Sequence, residues 1–106
     1  MTGTGEVVLG IDPGTAVTGY GVVRRDARGA PELLECGVIR TRADQPLPRR
    51  LHDIHEGVRE LIARHQPHTL AVESVFYARN VRTTVVLGHA RGVILLAGEQ
   101  AGLRVA

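Results

Sequence analysis

VVLGIDPG, from Val7 to Gly14, is a five-residue apolar run closed by an acid and a turn. A continuous apolar run of this length suits a strand buried on both faces. Asp12-Pro13-Gly14 ends it, because Pro fixes φ and Gly accepts φ > 0. Outward from that strand, Thr18 to Arg24 is rich in Gly and Val and reads as a second strand. Asp26-Ala27-Arg28-Gly29 reads as a hairpin turn and Leu33 to Thr41 as a third strand, giving an antiparallel meander. A loop with Asp44, Gln45, Pro46 and Pro48 leads into a helix from about Pro48 to His65. There Leu51, Ile54, Val58, Leu61 and Ile62 keep one-face helical spacing. Arg49 with Asp53, and Glu60 with Arg64, are expected as i,i+4 ion pairs.

Pro67 forbids continuation of that helix, and Thr69 to Glu73 is a short apolar strand ending in a carboxylate. Phe76 to Arg82 reads as irregular. A second helix is expected from about Thr83 to Ala101, with Gly102 as its C-terminal cap. Leu103 to Ala106 opens another strand. The order βββαβα(β) predicts an α/β fold of the α+β kind with a mixed sheet, in a single domain over residues 1–106. A right-handed crossover through the first helix places the Thr69 strand parallel to an earlier one.

The bulk properties fit this reading. The 106 residues suffice for one domain, and 43% are apolar, too many for a disordered chain. The 13 glycines have no period. No apolar run can span a bilayer, and MTGTGE lacks the regions of a signal peptide. A lone cysteine, Cys36, makes neither an internal disulfide nor a multi-cysteine zinc site. A cytoplasmic, non-membrane protein is expected. The net charge of +2 and pI of about 9.3 are compatible with nucleic acid without requiring it. Every positive side chain is Arg, and the guanidinium fork suits phosphate.

Asp12 and Glu73 each end a short apolar strand. On adjacent parallel strands, roughly 4.8 Å apart, the two acids share one sheet edge. Carboxylates that close repel unless a proton or cation compensates. Mg²⁺ is the natural cation, since it prefers oxygen ligands. Such a pair suits phosphodiester hydrolysis, in which two metal ions activate water and stabilise the leaving oxygen. Asp-Pro-Gly alone is also an ordinary turn, and Glu73 could be a solvated strand end. The Gly-rich turn from Gly10 to Gly21, with Thr15 and Thr18, could cradle phosphate as in actin-like and sugar-kinase ATPases. Phe76, Tyr77, Arg79, Asn80 and Arg82 combine aromatics with arginines, which suits stacking on unpaired bases with phosphate contacts. Phe76 packed into the core is the bland alternative. A nucleic-acid-binding module without catalysis is the third reading.

Other features are weaker. His52, His55, His65 and His68 lack a convincing zinc set and read as surface or boundary residues. Cys36 reads as a small core residue. Gly88 and Gly92 form a small face on the second helix, suited to close packing on the sheet or to a helix–helix dimer contact.

Four stretches together resemble one family. LGIDPGTAVTGYGVV (Leu9 to Val23), CGVIRT (Cys36 to Thr41), AVESVFYARN (Ala71 to Asn80) and LGHARGVILLA (Leu87 to Ala97) are similar, in that order, to segments of RuvC-type Holliday-junction resolvases. The resemblance implies a ribonuclease-H-like fold and a homodimeric endonuclease that nicks four-way DNA junctions symmetrically in recombination and repair. Its cofactor is implied to be Mg²⁺, with Mn²⁺ as a substitute, and its partner a branch-migration motor. It assigns Asp12 and Glu73 as catalytic acids and metal ligands, and Phe76 as the aromatic that meets unstacked junction bases. Arg79 falls in the same loop, and Gly88 and Gly92 in the dimer contact. The resemblance also implies further strand and helix carrying a third and fourth acid. The chain to Ala106 is therefore expected to hold an incomplete fold, weak or inactive by itself.

Overall fold

In a computed structural model, residues 5–74 and 80–106 are described. They form β1 (Val7–Asp12), β2 (Val17–Arg25), β3 (Pro31–Arg40), α1 (Leu47–His65), β4 (Thr69–Val72), α2 (Val81–Gln100) and β5 (Arg104–Val105). One five-stranded sheet runs in the order β3-β2-β1-β4-β5. The meander pairs antiparallel, Asp12 lying opposite Gly19. Beyond α1 the chain returns parallel to β1, Ile11 beside Val72, and β5 adds parallel to β4.

Side-chain alternation sorts the sheet into two unlike faces. Leu9, Val22 and Leu70 are fully buried against Val58 of α1 and Ile94 of α2. On the opposite face β1 carries Gly10 and Asp12, and β2 carries Gly19 and Gly21. Its apolar run notwithstanding, β1 alternates between buried and half-buried before the exposed Asp12, so only the helix-facing side is fully covered among the described residues. Cys36 is exposed rather than in the core. The β2–β3 register slips by one residue between Val22 and Val23, which sets Glu35 opposite buried Val22. Glu35 therefore faces the helices, and Cys36 beside it must face away.

That arrangement redirects the ion pairs expected on α1. Arg64 and His65 both reach Glu35, at 2.8 and 2.6 Å. Arg59 pairs with Glu56, and Asp53 lies 3.4 Å from His52. Among the described residues neither Arg49–Asp53 nor Glu60–Arg64 forms. The Tyr20 hydroxyl donates to Glu35 as well, at 2.7 Å. These three donors hold the Glu35 carboxyl down at about 2, His65 contributing most, then Tyr20, then Arg64. His68 is structural too, its Nδ1 accepting the Val7 N–H at 3.0 Å.

Each helix ends for a local reason. Gln66 caps α1 with φ 49° and donates its N–H to Ile62, and Pro67 follows. Gly102 takes φ +75° just beyond α2, as expected of a cap glycine. The α2 start lies two residues earlier than expected, at Val81, because Asn80 caps it by accepting the Thr83 N–H at 2.9 Å. Val81 and Arg82 are thus helical rather than irregular. At the far edge Glu6 accepts from Thr69 at 2.6 Å and from Arg104 at 2.7 Å, tying β5 to the start of β1.

Candidate metal-binding edge of the sheet

The parallel pairing of β1 and β4 brings Asp12 and Glu73 to the same edge. Glu73 follows the last ladder residue, Val72, and its N–H donates to the Ile11 carbonyl at 3.0 Å. The Glu73 carboxyl is raised above its ordinary 4.5, first by a hydrogen bond with Asp12, then by repulsion from it, then by burial. Both acids line an open depression of about 530 Å³ on the glycine-rich face, floored by Gly10, Gly19 and Gly21. Missing Cβ atoms make that floor: a side chain built at Gly21 would meet nothing within 4 Å.

A hard divalent cation fits this donor set in part. Two carboxyls that line one depression, the first raising the pKa of the second, would be relieved by a positive charge between them. Water would fill the remaining positions. Among the described residues no group of three or more His, Cys, Asp or Glu side chains is placed to hold a metal. The two acids by themselves do not make a two-metal clamp.

The turn after Asp12 is built for shape. A Cβ at Gly14 would overlap the Val17 carbonyl oxygen, so only glycine fits. Thr18 is buried and its Oγ1 accepts the Gly14 N–H at 3.4 Å, while the Thr15 carbonyl accepts from Arg50. Thr18 is therefore closed to the phosphate cradle considered from sequence. Phe76, Tyr77 and Arg79 lie outside the described residues. Asn80 gives its side-chain oxygen to the α2 cap, and Arg82 stands exposed in the first turn.

Gly88 and Gly92 do not pack on the sheet. Both are exposed, a Cβ at either meets nothing within 4 Å, and with Val85 and Leu96 they border a shallow apolar depression. The α2 glycine that meets the sheet is Gly98, whose added Cβ would come within 2.5 Å of Leu70. Sequence reasoning also passed over Arg91, whose Nε donates to the Glu73 main-chain carbonyl at 3.1 Å. Its place in LGHARGV was visible, but nothing local to that helix pointed to a strand end 18 residues earlier.

An antiparallel meander, a helical crossover and a parallel fourth strand, with acids ending the first and fourth strands, define a ribonuclease-H-like domain. Residues 8–106 match the family described as crossover junction endodeoxyribonuclease RuvC. The protein of that name from Magnetococcus marinus is 50% identical over 100 residues, which is 93% of this chain and 54% of its relative. That from Chloroflexus aggregans is 50% identical over 97 residues, covering 92% and 58% respectively. The structure of T. thermophilus RuvC in complex with Holliday junction substrate superposes with a TM-score of 0.85 at 35% identity, over 93% of this chain and 63% of that one. The chain belongs to the RuvC family of crossover junction endodeoxyribonucleases. It spans just over half the length of the curated relatives it matches. Among the described residues no helix is long and apolar enough to cross a membrane.

Proposed function

We propose that the chain carries the acid-bearing part of a structure-specific endonuclease that resolves four-way DNA junctions in recombination and repair. The observation that carries this reading is the meeting of Asp12 and Glu73 on one open sheet edge, in a chain of this family. Asp12 and Glu73 would hold a divalent cation, Mg²⁺ with Mn²⁺ as a substitute. When bound, that cation supplies positive charge to a phosphodiester and lowers the pKa of a bound water. The chain's own contribution is orientation: β1 and β4 fix the two carboxylates, and the glycine floor leaves room for a backbone beside them.

Phe76 and Tyr77 would stack on unpaired bases at the junction centre, with Arg79 and Arg82 on phosphates and the Asn80 amide as a further donor. The exposed Gly88–Gly92 stripe would seat the same stripe of a second copy, giving a two-fold dimer that matches the symmetry of a four-way junction. A branch-migration motor as working partner, and a place in the cytoplasm, complete the proposal.

The test is a synthetic four-way junction beside a linear duplex of the same sequence, assayed for binding and nicking in Mg²⁺, with the chain and with a version extended to its relatives' length. Asp12→Asn and Glu73→Gln should each abolish nicking and spare junction binding. Nicking at the normal rate by either variant refutes the role of that acid. Equal affinity for duplex and junction refutes the substrate.

A further inference from the structure

We infer that Arg91 is a positioning residue for Glu73, fixing the acid's main chain from α2 while leaving its carboxylate free. The inference rests on Asp12 and Glu73 being cation ligands and adds a residue to that site. Glu73 is the first residue beyond the β4 ladder, where main-chain groups lose their strand partners. Its N–H is held by the Ile11 carbonyl, one residue before Asp12. Its carbonyl is held by Arg91 Nε at 3.1 Å. The acid is thus clamped on one side by the strand that bears Asp12 and on the other by α2.

The atom that Arg91 chooses is informative. An arginine beside a glutamate ordinarily makes a bidentate pair with the carboxylate. Such a pair would compete with a cation for the same oxygens. Here the guanidinium goes to the carbonyl, and among the described residues Arg91 makes no ion pair, with Glu73 or any other acid. The other end of the clamp is firm, because its neighbour Ala90 and Ile94 one turn on are buried in the core. The planar guanidinium reaches the carbonyl from a fixed direction, which the flexible ammonium of a lysine does not reproduce.

Partners that orient a metal ligand are typically worth 10–100-fold in metal affinity. The experiment uses Mn²⁺ alone as probe, titrated by electron paramagnetic resonance into the chain, Arg91→Ala and Arg91→Lys. Amide exchange at Glu73 is followed by NMR in the absence of metal, with thermal melts as the folding control. Arg91→Ala is expected to weaken Mn²⁺ by about tenfold or more, to speed Glu73 amide exchange, and to melt like the parent. Arg91→Lys keeps the charge and is expected to recover only part of both. Unchanged Mn²⁺ affinity and unchanged Glu73 exchange in Arg91→Ala overturn the inference. Full recovery by Arg91→Lys also overturns it, because charge alone would then suffice. If Arg91→Ala fails to fold, the lysine variant decides by the same criterion. Should the parent bind no Mn²⁺ dependent on Asp12 and Glu73, the metal reading fails, and metal-free exchange at Glu73 still reports on the Arg91 clamp.

Discussion

Across the parallel β1–β4 pair, Asp12 and Glu73 end neighbouring strands at one sheet edge, and the nearby Asp12 carboxyl raises the Glu73 carboxyl above its ordinary value. Without a cation the ionised pair is a liability of the folded chain.

The sign of its pH dependence follows. A carboxyl whose folded pKa is raised destabilises the fold above that pKa, and the loss is recovered as pH falls towards the ordinary value of 4.5. Metal-free Glu73→Gln should therefore melt at the same or a higher temperature than the parent at neutral pH, and the gap should close below 4.5. Added Mg²⁺ should stabilise the parent and not the variant. Melts with and without Mg²⁺ across this range check it; a variant less stable than the metal-free parent at neutral pH would refute the repulsion.

Glu35 is the opposite case. Its carboxyl is held at about 2 by His65, Tyr20 and Arg64, so its contribution is full above 4.5 and lost as pH falls through about 2. Glu35→Gln should lower the melting temperature at neutral pH, with the difference narrowing through that window. A pH-independent difference would assign the loss to packing instead.

The α2 glycines separate by face. Gly98→Ala drives a methyl into Leu70 and Val105 and should cost about 1–3 kcal/mol by overpacking, more than the helix gains from alanine. Gly88→Ala and Gly92→Ala meet open space and should stabilise the fold by up to about 1 kcal/mol. If the stripe seats a second copy, Gly88→Leu should also weaken self-association, read by sedentation-velocity ultracentrifugation. Denaturant melts rank the three alanine variants, and equal effects would mean the faces are wrongly assigned.

Phe76→Ala distinguishes stacking from packing. Loss of one stacked base should cost about 1–3 kcal/mol of junction affinity, while loss of a core phenylalanine would cost about 3–5 kcal/mol of folding stability. Junction titrations beside denaturant melts measure both, and a large loss of stability would return Phe76 to the core.

The sheet and the acid pair were legible in the sequence because their signals are local. An apolar run ending in an acid marks both β1 and β4, and the helical spacing from Leu51 to Ile62 marks α1 with its buried Ile54, Val58 and Leu61. Contacts made across the fold were not legible. The one-residue slip opposite Val22 and Val23 turns Glu35 inward and Cys36 outward, and no local pattern announces a bulge. Arg64 has a good helical partner in Glu60, yet a carboxylate from β3 with two further donors outcompetes it. The α2 start was misplaced because Phe76 to Arg82 read as one irregular stretch, and nothing in it marked Asn80 as the cap whose side-chain oxygen accepts the Thr83 N–H.

Glu6 and Arg104, joined at 2.7 Å, are 98 positions apart in sequence. On a ribosome, β1 to β4 emerge well before Arg104 can reach either Glu6 or the open side of β4. Through that interval the Thr69–Val72 strand presents unpaired main chain to its surroundings, and such edges attract other nascent chains. Pairings this distant also form late and slow the search for the native state. The stretch of chain that separates Val72 from Arg104 thus sets how long the β4 edge waits for its partner.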